Sequence, residues 1–224
     1  MTKRLAAVLM LLAALAIGVG ACGSDDETTS SDSTSSSSTE TPEPVAAIDD
    51  LTGVQTKVTL DAGFVDALGK LGLTPGAVGG AKLADGYIKF PITGGNVEYY
   101  DPASDYRPYV QGEIDHEGSG LSLEAGGTTV ELTDFVIDPG TSELFGTVSA
   151  NGKVAAEDAK LFDLDGSTLK PLAVDENAGT ATLEGTTVLL SDDAAALLND
   201  TFKTDALAGG FKIGISEITV APVG

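Results

Sequence analysis

Four of the five tyrosines and the only histidine of this 224-residue chain fall within the short stretch 99–116, as Tyr99, Tyr100, Tyr106, Tyr109 and His116. A tyrosine oxygen with a histidine nearby is an established way to hold haem iron, and it is the one constellation here with the makings of a ligand site. If residues 109–117 form a strand, alternation puts Val110, Ile114 and His116 on one face. Tyr109, Gln111, Glu113, Asp115 and Glu117 then share the other. The competing expectation is structural, with the tyrosines covering a sheet end and His116 hydrogen-bonded within it. A single histidine excludes a multi-histidine metal site, and a single cysteine excludes both a disulfide framework and a Cys-rich metal centre.

Signals for catalysis are weak. Ser167-Thr168-Leu169-Lys170 matches an S-x-x-K string, but that chemistry needs a helix opened by the Ser; Pro171 and the surrounding strand-and-turn composition argue against one. Gly118-Ser119-Gly120 is a turn without a nucleophile elbow. Asp163-Leu164-Asp165-Gly166 starts like a calcium loop but lacks the later ligands and closing Glu. Asp49-Asp50 and Asp192-Asp193 suit a domain entry and a helix start. Among 34 acidic residues no acid/base pair stands out. The expectation is therefore a binding protein and not an enzyme. An anchored envelope hydrolase using carboxylates and a purely structural or adhesive envelope lipoprotein are the alternatives.

Residues 1–21 carry Lys3 and Arg4, an apolar run from Leu5 to Val19 and small residues, the three parts of a secretory signal. Val19-Gly20-Ala21-Cys22 resembles the bacterial lipobox, which implies that Cys22 carries a diacylglycerol thioether and becomes the mature N-terminus. Residues 22–47 are then the lipidated Cys and an acidic Ser/Thr-rich tether with no apolar periodicity, expected to be disordered, with a reach of roughly 25–30 Å. The expected location is the outer face of the cell membrane, held there by the lipid. A net charge of -22 argues against nucleic acid or anionic lipid as a partner. A small-molecule ligand is the partner left to consider.

Residues 48–224 read as one mainly β domain, an antiparallel sandwich or partly open barrel with two short helices. Alternation is clearest where Val54, Thr56, Val58 and Leu60 take one face and Gln55, Lys57 and Thr59 the other. Further strands are expected over 87–92, 109–117, 121–124, 129–137, 144–149, 159–164, 180–190 and 212–220. Turn clusters join them, Asn151-Gly152 giving the strongest hairpin signal. Helices are expected over 62–71, between Asp61 and Gly72, and over 192–202 behind Ser191. Val58 to Ile88 also aligns without gaps onto Val188 to Ile218, a weak repeat of strand, capped helix, Gly-Gly and strand.

Three runs carry a family resemblance: Phe90-Pro91-Ile92-Thr93-Gly94-Gly95, then Gly112 to Leu121 with Asp115-His116-Glu117-Gly118-Ser119-Gly120 at its heart, then Val130 to Ile137. Together with Val188-Leu189-Leu190-Ser191 and Ala194 to Asn199 they resemble the HtaA (haem transport-associated) domain across nearly all of residues 54–220. The resemblance implies a β domain on a surface or secreted actinobacterial protein. It also implies ligand capture, haem being the sharpest version, with His116 matching the family's histidine. The family's tyrosine sits in its opening helix, within a Trp-containing motif; the matching helix here, 62–71, has neither Tyr nor Trp.

Overall fold

The computed structural model describes residues 42–222. The signal segment, Cys22 and the tether as far as residue 41 lie outside the described residues. In chain order the elements are β1 (Ala46–Ile48), β2 (Leu51–Leu60), α1 (Ala62–Leu71), β3 (Thr74–Gly79), β4 (Lys82–Ala84), β5 (Tyr87–Pro91), β6 (Gly94–Tyr99) and β7 (Val110–Ala125). There follow β8 (Thr128–Asp138), β9 (Glu143–Ala150), β10 (Lys153–Asp165), β11 (Ala173–Asp175), β12 (Thr180–Leu190), α2 (Asp192–Phe202) and β13 (Lys212–Pro222).

All strands belong to one antiparallel sheet in the order β1-β6-β7-β8-β9-β10-β12-β13-β2-β5-β4, with β3 added to β7 and β11 to β12. The sheet curls into a half-barrel, so of the two expected forms the partly open barrel is the one adopted. Its central run β7 to β10 is a meander made by tight turns. Gly126-Gly127 (φ 59° and 78°) and Asn151-Gly152 (φ 51° and 74°) place both turn residues in the left-handed region that a type I′ hairpin needs.

Both helices form where expected, for local reasons. The Asp61 carboxylate accepts the Gly63 N–H, and Gly72 ends α1 at φ 66° with its N–H on the Leu68 and Gly69 carbonyls. Ser191 caps α2 through the Ala194 N–H and donates its own hydroxyl to the Lys160 carbonyl at 2.7 Å, tying the helix start to β10. Phe64 and Leu68 of α1 and Leu198 of α2 converge with Phe211 on one small apolar space, closing one end of the barrel.

The repeat corresponds to two like units, β2–α1–β5 and β12–α2–β13, each a helix between two paired strands, joined side by side through the β13–β2 ladder. Their registers differ: Val58 pairs with Ile88, whereas Val188 pairs with Gly214. The two segments are equally long, but after its helix the first forms β3 and β4 before β5, whereas the second passes from α2 into β13.

Five strands were not anticipated: β1, β3, β4, β6 and β11. Ala46 and Ala47, assigned above to the tether, pair with Tyr99 and Glu98 as part of β1. The segments expected at 109–117 and 121–124 are one strand, β7, whose ladder with β8 jumps between His116 and Gly120. This bulge is the Asp-His-Glu-Gly-Ser-Gly string. Gly118 turns at φ 67° and donates its N–H to Asp134 Oδ1 at 2.8 Å, and Asp134 itself sits at φ 54°. The Ser119 hydroxyl, wholly buried, donates to the His116 carbonyl at 3.0 Å.

The other string, Phe-Pro-Ile-Thr-Gly-Gly, is the bend at which β5 leaves β2 and becomes β6 on β7. The Thr93 N–H reaches the Asp115 carbonyl at 2.8 Å, and the Thr93 hydroxyl accepts the Glu117 N–H at 2.8 Å. The two strings therefore pack against each other and draw the edges of the curled sheet together.

Candidate ligand cavity

Inside the half-barrel is a cavity of about 560 Å³, within the size range of small-molecule sites. Alternation along the strands puts Val58, Phe90, Ile114, Phe135, Leu144 and Ile218 on its wall. Small inward residues on β12 and β13, Thr186, Val188 and Ser216, leave the space unfilled where larger side chains would close it. Phe64 of α1 faces it from the closed end, and at the other end the lining runs onto Tyr99, Arg107, Pro108 and Tyr109.

His116 lines the cavity but is only 1 % exposed, and both ring nitrogens are occupied. Nδ1 lies 3.2 Å from the Phe135 carbonyl, which can only accept, so Nδ1 carries the proton. Nε2 then accepts from the Thr56 hydroxyl at 2.8 Å. Burial pushes the imidazole pKa down to about 4, against the opposing pull of the Phe135 carbonyl. The ring is a neutral cross-brace, held edge-on to Phe90 at 6.3 Å and 83°.

The four tyrosines divide into two pairs. Tyr99 and Tyr109 meet edge to face at the mouth, with ring centres 6.0 Å apart at 86°. Tyr100, only 4 % exposed, packs on Tyr106 at 4.6 Å, and neither of these lines the cavity. The Tyr100 hydroxyl donates to Glu98 Oε2 at 2.6 Å; that bond, and then burial, raise its pKa to about 12. His116 lies six residues along β7 from Val110, the partner of Tyr99, or roughly 20 Å at strand spacing. Of the residues singled out in the sequence, Tyr99, Tyr109 and His116 share the cavity but not one point within it, and Tyr100 and Tyr106 stand outside.

Haem iron needs an axial ligand, and the residues present do not fit that need as a Tyr–His pair. His116 has no free nitrogen, the position facing the cavity from α1 is Phe64, and the mouth tyrosines lie far from the histidine. Elsewhere, Ser167 and Lys170 lie in the loop between β10 and β11. The Ser167 N–H is on Asp165 Oδ1, and Lys170 is paired to Glu184 at 2.8 Å, so no S-x-x-K helix forms. Asp163 pairs with Lys160 at 3.0 Å. Among the described residues no cluster of three or more His, Cys, Asp or Glu side chains could hold a metal ion.

Two residues that matter here were not singled out in the sequence. Thr56 looked like an ordinary strand position. Arg107 could have been noticed as the sole arginine after Arg4.

These features define a class: an antiparallel half-barrel with two end-capping helices and an apolar interior. The particular likeness is to the C-terminal domain of HtaA from Corynebacterium glutamicum, with a TM-score of 0.51 at 15% identity, covering 78% of this chain and 97% of that one. A domain-swapped dimer of a histidine-to-alanine variant of the same domain gives 0.43 at 16%, covering 71% and 91%. The chain thus has an HtaA-like fold. No protein-family model matches the chain, and no curated protein matches it.

Proposed function

We propose that this protein is a lipid-anchored, extracytoplasmic binding protein that takes the apolar body of a small molecule into the half-barrel. It is anchored through Cys22, and it is not an enzyme. The observation that carries the reading is the cavity: about 560 Å³ walled by aliphatic and aromatic side chains, with no charged group in its interior. A cavity of that size with that lining favours apolar cargo over water. The signal, the lipobox and the tether support its position outside the membrane. The HtaA-like fold supports a binding role, while the occupied nitrogens of His116 favour cargo other than haem.

Two titrations of the purified protein test this. Hexadecanol, followed by calorimetry, is expected to saturate at one site. Haemin, followed by absorption, is expected to give only the sum of its parts. A saturable Soret band that disappears in His116→Ala would favour haem instead, and absence of hexadecanol binding would remove the apolar reading.

A further inference from the structure

The mouth of the cavity carries one feature the apolar reading does not use. Arg107 is the only charged residue on the lining, and in a chain of net charge -22 it forms no ion pair among the described residues. It is nonetheless fixed in place. Nη1 donates to the Ser104 and Tyr106 carbonyls, both at 2.7 Å, and Nη2 to the Pro102 carbonyl at 3.0 Å. The guanidinium also lies 5.4 Å from the centre of the Tyr109 ring. A guanidinium has five donors. These contacts use three, leaving Nε–H and one Nη2–H without a protein partner among the described residues.

Held by neutral carbonyls instead of a carboxylate, the group keeps its full charge for something else. Two spare donors on a planar, pre-oriented cation suit an oxyanion. The Tyr109 ring beside it, itself packed on Tyr99, adds a partly apolar rim.

Resting on the apolar-cargo reading, we infer that the ligand is an aliphatic amphiphile: its chain fills the half-barrel and its anionic head, carboxylate or phosphate, is held at the mouth by Arg107. The protein's overall negative charge repels free anions. Affinity for a small anion alone is therefore low, and the chain must supply most of the binding.

The test is calorimetric titration of the protein and of Arg107→Gln with palmitate, hexadecyl phosphate and hexadecanol, which share one chain and differ in the head. At least one acid is expected to bind wild type about tenfold or more tighter than the alcohol, as charge-assisted bonds imply. Arg107→Gln is expected to lose that advantage and keep hexadecanol binding; the tighter acid identifies the head. Acids that bind no better than the alcohol, or a preference that survives in Arg107→Gln, overturn the inference while leaving the apolar cavity standing. Failure of all three probes removes the cavity reading itself. Should Arg107→Gln lose hexadecanol too, Arg107→Lys, which keeps the charge, decides: a preference for an acid over the alcohol supports the inference and no preference overturns it.

Discussion

The Thr56 hydroxyl donates to His116 Nε2 at 2.8 Å, joining β2 to β7, two strands that share no ladder because the bent β5–β6 segment runs between them. The bond spans the seam at which the curled sheet returns on itself, so His116 acts as a brace for the barrel. Thr56→Val keeps the shape but leaves a buried ring nitrogen without its donor. A loss of about 1–3 kcal/mol is expected in urea unfolding at pH 7.

The same brace makes stability depend on pH. The folded pKa of His116, about 4, lies below its usual 6.5, so between these values the unfolded chain binds more protons. This contribution is complete above pH 6.5 and is lost as pH falls toward 4, roughly 3 kcal/mol in all. Many carboxylates titrate nearby, so the measurement is the difference between wild type and His116→Gln: their stability gap is expected to narrow from pH 7 to pH 4.

Gly95 holds the bend at the start of β6 with φ 108°, its missing Cβ directed at the Glu113 carbonyl. Gly95→Ala is expected to cost at least about 1–3 kcal/mol through backbone strain, read as a lower unfolding midpoint with an unchanged denaturant slope.

Ala181 lines the cavity from β12, and a larger ring there would occupy the ligand's space. Ala181→Trp is expected to fold, with its thermal midpoint near wild type, and to lose hexadecanol binding. If it bound hexadecanol as tightly as wild type, the cargo would lie elsewhere.

Much of the fold is legible in the sequence because local chemistry decides it. Asp61, Gly72 and Ser191 set helix ends, Asn151-Gly152 sets a hairpin, and Thr56, Val58 and Leu60 alternate onto the inner face. The strands that escaped notice are those whose partners are distant in sequence or whose residues resemble turns. β3 reads Thr-Pro-Gly-Ala-Val-Gly and β6 opens on Gly-Gly, so only their pairing with β7 makes them strands. The start of β10 is hidden by register shifts around Val154, Ala156 and Ala159, which break its alternation.

The site was less legible, for a physical reason. A cavity is made by what is absent, and small inward residues such as Thr186 and Ser216 leave no signature in a single strand. The strings that carried the likeness to HtaA, around Thr93 and His116, turn out to close the barrel. They specify how the sheet folds back on itself.

The most direct test of the apolar cavity is calorimetric titration with straight-chain alcohols from octanol to hexadecanol. Burying each methylene is worth about 0.8 kcal/mol, or about fourfold in affinity. The account predicts that affinity climbs by about that factor per carbon and levels off once the cavity is full. Affinity that is undetectable throughout, or that does not change with chain length, would contradict it.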